Sequence, residues 1–189
     1  MSTTKWVLDP THSELQFKVK HLMISTVTGY FNQFNATVET EDDDFTKSRI
    51  DFTAEVASIS TNNEQRDAHL KNTDFFDTPN HPQISFHSQE LEKTSEDEYK
   101  LQGTLTMKGV SKRISLHVEF GGITIDPWGN TRAGFTVTGK INRQDFGVSF
   151  GVVTETGSVL LGDEVKIIGS VQLVKQTVKE PALAEVSGD

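Results

Sequence analysis

The chain of 189 residues contains no cysteine. That one absence excludes disulfide staples, thiol nucleophiles and cysteine-held metals together. Positive charge is scarce too: 18 Lys and Arg stand against 27 Asp and Glu, for a net charge of −9. Nucleic acid is engaged mainly by Lys and Arg on its phosphates, so no nucleic-acid partner is expected. The same balance disfavours electrostatic attraction to anionic lipid, so a lipid partner would be held through apolar contact. No apolar run reaches the roughly 18 residues of a membrane-crossing helix, and no integral membrane segment is expected. The opening Met1-Ser2-Thr3-Thr4-Lys5-Trp6 lacks the apolar stretch of a secretory signal. As it stands the sequence reads as cytoplasmic, although a secreted form already processed would read the same.

What is present is alternation. Leu15, Phe17, Val19 and His21 fall on one face of Glu14–His21, with Glu14, Gln16, Lys18 and Lys20 on the other. Period two marks a strand with one wet face. A second strand covers about 27–40, but Phe34, Ala36 and Val38 are out of phase with Gly29 and Phe31. A β-bulge near Asn32-Gln33 would repair that slip. Glu41-Asp42-Asp43-Asp44 reads as a polar turn. Further alternating strands centre on Ile50–Val56, Ile84–Ser88, Tyr99–Leu105, Ile114–Phe120, Ala133–Ile141 and Val165–Leu173. Eight strands joined mostly by short polar turns indicate an antiparallel up-and-down sheet. Such a sheet must bury its apolar face, and closing on itself solves the burial and edge problems at once. The expected fold is therefore all-β: an eight-stranded antiparallel lipocalin-like up-and-down barrel with one helix between strands 3 and 4. The barrel domain would span residues 1–175, followed by a disordered polar tail over 176–189.

That helix is expected within Ser58–Phe76. Thr61 with Glu64 forms a capping box, and Asp67 with Lys71 an i,i+4 pair. Arg66, Asp67 and His69 lie beside Leu70, Phe75 and Phe76. Three titratable groups against apolar ones are compatible with catalysis, with contact to a ligand's polar end, or with a structural latch. Asp9-Pro10-Thr11-His12-Ser13 places acid, imidazole and hydroxyl together, but a turn tied by its own side chains is the better reading, since no nucleophile elbow accompanies it. The six histidines never take a His-x-x-x-His spacing. No metal, cofactor or catalytic residue is assigned.

Twelve phenylalanines against two Tyr and two Trp are the loudest signal. Phe17, Phe31, Phe34, Phe52, Phe86 and Phe135 lie on inward strand faces. Either they fill a core or they line an apolar tunnel. Residues 142–162 are too long for a hairpin turn and carry Phe146, Val148, Phe150, Val152 and Val153. They read as a lid at a barrel mouth or as an extra hairpin. The candidate ligand contacts are Phe17, Val19, His21, Phe31, Phe34, Phe52, Phe86 and Phe135 from strands. Arg66, His69, Leu70, Phe75 and Phe76 join them from the helical stretch, and Phe146 from the long connection.

Several motifs in order carry a resemblance. Trp6-Val7-Leu8-Asp9-Pro10-Thr11-His12-Ser13, Gly29-Tyr30-Phe31 and Arg66-Asp67-Ala68-His69-Leu70-Lys71 with Asp74-Phe75-Phe76 come first. Gly103 to Val110, Arg132-Ala133-Gly134-Phe135 and Ile141 to Gly147 follow. Together the chain resembles the YceI-like family of polyisoprenoid-binding proteins over about residues 6–174. The resemblance implies a lipocalin-like barrel that holds a long isoprenoid or similar lipid, often as a homodimer, with no catalytic residues to carry over. A non-catalytic carrier or sequestering protein is the expected function. The alternatives are an enzyme on an apolar substrate using Arg66, Asp67 or His69, and a stress-response scaffold.

Overall fold

Alternation becomes curvature in the computed structural model, which describes residues 2–152, 155 and 160–177. The polar tail expected over 176–189 lies, from residue 178 on, outside the described residues, as do 153–154 and 156–159 of the long connection. Among the described residues eleven strands form one antiparallel sheet that closes through pairing of β1 (Thr3–Leu8) with β11 (Leu161–Lys175).

Eleven strands make eight staves because three staves are interrupted. β1 and β2 (Glu14–His21) both lie along β11, with a 3-10 turn at Pro10–His12 between them. β3 (Ser25–Phe31) pairs with β2, and β4 (Phe34–Glu41) continues beside β1. β5 (Asp44–Glu55) pairs with β4, and the short β6 (Ile59–Ser60) with β3. The remaining staves are β7 (Gln83–Lys93), β8 (Glu98–Met107), β9 (Val110–Ile125), β10 (Thr131–Asn142) and β11, each paired with the next. The closed ring runs β1-β4-β5-β7-β8-β9-β10-β11, and β2, β3 and β6 branch from β11 toward the α1 end, where β6 is the last strand.

Three local expectations are corrected. The bulge at Asn32-Gln33 is a complete break, where the chain leaves β2 and joins β1 and β5. Ser58 bridges the break: its carbonyl accepts from Asn32 N at 3.2 Å and its hydroxyl from Gln33 N at 3.0 Å. β1 escapes the sequence pattern because Thr3-Thr4-Lys5 is polar, yet it carries Trp6, the most deeply buried aromatic residue at 0% exposure. The helix, α1, is only Glu64–Leu70. Asn63 caps it by accepting from Arg66 N at 3.0 Å, which displaces the Thr61–Glu64 box.

Functional elements gather at one barrel end. His21 faces Leu161 in register there, and Met107 faces Val110, close to where β10 ends at Asn142. At the other end Trp6, Phe45, Phe120 and Phe135 form a floor of rings, with neighbouring centroids 5.1–5.3 Å apart. Offset and tilted contacts of this kind suit the ring quadrupoles.

Candidate functional site

Above that floor is a cavity of about 270 Å³, walled by side chains from all eight staves. Inward parity along each strand supplies them: Phe17 and Val19 from β2, Phe31 from β3, Phe52 from β5, Phe86 from β7 and Phe135 from β10. Leu70, Phe75 and Phe76 close it from the α1 end. The two readings of the phenylalanines are thus both realised, as rings fill the lower barrel and line an empty volume above. Phe45, Leu101, Leu105 and Met107 also line it and were not singled out from the sequence.

Five of the residues singled out do not reach the cavity wall. Phe34 shares the parity of Ala36 and Val38 but, just after the break in its stave, stays half-buried off the cavity wall, its ring 6.2 Å from that of Phe52. Phe146 is 1% exposed yet packs in the 3-10 turn Arg143–Phe146, behind the lining. His21 ends β2 opposite Ser25, half-buried. Arg66 donates from Nε to the Thr61 hydroxyl at 2.7 Å and from Nη2 to the Thr61 carbonyl at 2.6 Å. His69 reaches the Asp74 carboxylate at 3.1 Å and places its ring 4.9 Å from those of Phe75 and Phe150.

Arg66, Asp67 and His69 therefore do not converge. Asp67 accepts from the Thr61 backbone and hydroxyl, at 2.8 and 2.5 Å, and so turns to Thr61 instead of Lys71. One threonine thus clasps both charges and ties α1 to the preceding chain, while His69 belongs to the ring cluster above the cavity. The geometry is that of a latch, with no base aimed at an open site. Among the described residues no group of three His, Asp or Glu could hold a metal ion.

The residue that sequence reasoning missed is Arg143. It follows Ile141 on the inward parity and lines the cavity, only 3% exposed. Its guanidinium donates to the carbonyls of Gly162 at 2.9 Å, Val148 at 2.7 Å, Phe150 at 2.7 Å and Leu161 at 3.3 Å. Asp163 stands 3.5 Å away. Burial lowers the Arg143 pKa from its ordinary value, and Asp163 works against that. Four of the five N–H groups of the guanidinium are spent on backbone carbonyls, and Asp163 lies nearest the remaining one. The role is to hold the chain at 148–150 and at 161–162 together beside the barrel mouth. Gly147 takes the left-handed conformation (φ 72°) where the 147–162 connection leaves the 3-10 turn. Lys108 ties the same connection to the loop after α1, donating to Thr73 O at 3.0 Å and Gly147 O at 3.1 Å. A charged residue that continues the inward parity of β10 just past its end was the available signal for Arg143.

A second polar cluster lies on the outer surface. Arg132 donates to Asp9 at 2.6 Å and to Asp126 at 2.7 Å, joining the 9–13 turn to the β9–β10 hairpin. His12 meets Asp9 at 2.8 Å, while the Ser13 hydroxyl accepts from Gln172 N at 3.0 Å. The acid, imidazole and hydroxyl form a tied turn. The Arg132 side chain holds the Asp126 carboxyl down to about 2. The Thr11 hydroxyl and His12, with Arg132, hold Asp9 well below the usual carboxylate range. Both groups bind protons more readily unfolded than folded, so their stabilisation is full above about pH 5 and drains as pH falls through the folded values. Asp126→Asn is expected to melt lower than the parent at neutral pH and to show a shallower loss of Tm between about pH 5 and 2. Parallel melting curves across that window would contradict the assignment.

The comparisons with known proteins come to the same barrel. The model of the YceI-like domain matches residues 6–173. A UPF0312 protein of Staphylococcus aureus (strain N315) is 41% identical over 170 residues, covering 89% of this chain and 96% of that protein. The crystal structure of a Campylobacter jejuni YCEI protein superposes with a TM-score of 0.72 at 33% identity, covering 85% of this chain and 91% of the other. A polyisoprenoid binding domain from Saccharophagus degradans, implicated in plant cell wall breakdown, shares the fold with a TM-score of 0.69 at 14% identity. It covers 90% of this chain and 98% of that domain.

Proposed function

The chain belongs to the YceI-like domain family, and from that premise we propose that it binds and carries a long apolar ligand inside the barrel without altering it chemically. The ligand class is a polyisoprenoid, a quinone-like molecule or a fatty-chain lipid. The observation that carries this reading is the cavity of about 270 Å³, apolar on every stave, whose one charged lining residue among the described residues, Arg143, spends four N–H groups on backbone carbonyls.

The interior can therefore recognise hydrocarbon and nothing else. Each methylene moved from water into it contributes about 0.8 kcal/mol, so a ten-carbon stretch gains roughly 8 kcal/mol before ordering costs. Ligand pockets usually run to about 300–1,000 Å³, and this one falls just below that range. A long chain enters by parting the Phe17, Phe31 and Phe76 rings, whose neighbouring centroids are 5.5 and 6.2 Å apart. The ligand's polar end stays outside, because burying it unpaired would cost several kcal/mol. The fold neighbour described as a polyisoprenoid binding domain is in line with this ligand class.

Mass spectrometry of organic extracts from the purified protein tests the reading. Recovery of one long-chain apolar species in near-stoichiometric amount is expected. A protein that is free of lipid as purified, and that takes up no apolar chain when offered one, overturns it.

A further inference from the structure

The turn joining β2 to β3 is built the wrong way round for a soluble hairpin tip. Leu22 and Met23 both adopt positive φ, 52° and 59°, a conformation that hairpins normally assign to Asn and Gly. Large apolar side chains carry steric strain there. Leu22 is half-buried, but burial does not offset the strain at Met23, which is 59% exposed, and the following Ile24 is 84% exposed. Val152, on the adjoining connection, is 45% exposed as well. Leu22 N donates to Leu160 O at 2.8 Å, so this tip is hydrogen-bonded to the start of β11 beside the cavity mouth. Val19 and Leu161, just inside the tip, line the cavity.

Charge around the tip departs from the rest of the molecule. From Leu15 to Phe31 the hairpin has Lys18 and Lys20 and no acidic residue, within a chain of net charge −9. On the outer sheet surface Lys18 faces Lys166 in register, and Lys166 faces Lys140. Like charges directly opposite weaken a sheet. Among the described residues Lys140 alone of these has an acidic partner, Glu164 at 3.6 Å, and the neighbouring Asp163 is turned to Arg143. Strain and charge repulsion both become useful when one surface meets them: apolar interior for the tip and negative headgroups for the lysines.

We propose that the β2–β3 tip, with Lys18, Lys20 and Lys166 behind it, docks the barrel mouth on an anionic lipid bilayer. An apolar tip enters such an interface to about 5–10 Å, and at about 3.3 Å per residue Lys20 then lies at the headgroup level with Lys18 one step above. The cavity mouth faces the bilayer in this pose, and a hydrocarbon chain passes between them with little exposure to water.

Co-sedimentation of the full chain with phosphatidylcholine vesicles, with and without phosphatidylglycerol, tests the surface. The wild type is expected to pellet with the anionic vesicles, and less so as salt rises. Met23→Ser/Ile24→Ser should lower the bound fraction at least about fivefold, and Lys18→Gln/Lys166→Gln should flatten the salt dependence. Three outcomes overturn the proposal: no pelleting of the wild type, equal pelleting of the tip variant, or a dimer that the tip substitutions convert to monomer, which would assign the tip to a second copy. Uptake of a soluble fluorescent fatty-chain probe is measured on the same proteins. Probe uptake without vesicle binding overturns the docking surface alone, and vesicle binding without uptake overturns the carrier reading alone.

Discussion

Gly169→Leu is expected to weaken uptake of apolar chains by roughly 50-fold while leaving the barrel folded. Gly169 sits on β11 between Leu15 and Val137, lines the cavity and has ordinary backbone geometry. A Cβ at this position would meet nothing nearer than Val137 Cβ at 3.6 Å, a normal van der Waals distance. The rest of the leucine side chain then occupies space that about three ligand methylenes would otherwise fill. At about 0.8 kcal/mol each, that loss is roughly 2.4 kcal/mol. Stability should hold or rise, because glycine weakens a strand interior. Titration with a fluorescent fatty-chain probe, beside a thermal melt, reads both quantities. Undiminished uptake in a folded variant would place the ligand outside the barrel.

Other inward glycines give the contrast that makes this test specific. A Cβ at Gly103 would overlap the His87 carbonyl oxygen, which is backbone and cannot rotate away. At Gly29 it would overlap the ring of Phe17, the residue directly opposite in register. Those glycines let neighbouring groups approach the sheet. Gly169 leaves room.

Much of this was legible in period two. Parity alone puts Phe17, Phe31, Phe52, Phe86 and Phe135 inward, and a closed sheet follows from having one wet face and little else to cover the dry one. Parity does not by itself put a side chain in the cavity wall: Phe34 shares that of Ala36 and Val38 yet, beside the break between β3 and β4, stays half-buried off it. Interruption of staves is also invisible locally. β1 contributes only Trp6 and Leu8 as buried residues, and its pairing with β11 joins positions some 165 residues apart, Trp6 to Lys175 among them. The helical stretch was overextended because caps and i,i+4 pairs are local signals. Asn62 at φ 65° stops the helix from starting earlier, and Asp67 finds a better partner in Thr61 than in Lys71. Arg143 was hidden for a different reason. Its partners are carbonyl oxygens, which every residue possesses and no sequence pattern marks.

That arrangement sets up the other large effect. Arg143→Met keeps most of the side-chain volume but removes every donor to the carbonyls of Val148, Phe150, Leu161 and Gly162. Each acceptor left buried and unpaired costs about 1–3 kcal/mol, so the four cannot all stay dry in a protein of ordinary stability. The least costly response is local: the chain at 148–150 and 161–162 loosens and lets water reach those oxygens, while the staves, paired through their own backbones, persist. Probe release should then accelerate at least about tenfold, since closure normally slows exit more than entry. Limited proteolysis should cut within 147–162 in the variant well before it cuts the wild type. Arg143→Lys should fall between them, because an ammonium supplies charge but not a planar fork able to span four carbonyls. Unchanged release and unchanged cutting in Arg143→Met would mean that the connection is held by Val148 and the His69–Phe75–Phe150 rings, at centroid distances of 4.9 Å, and not by the guanidinium.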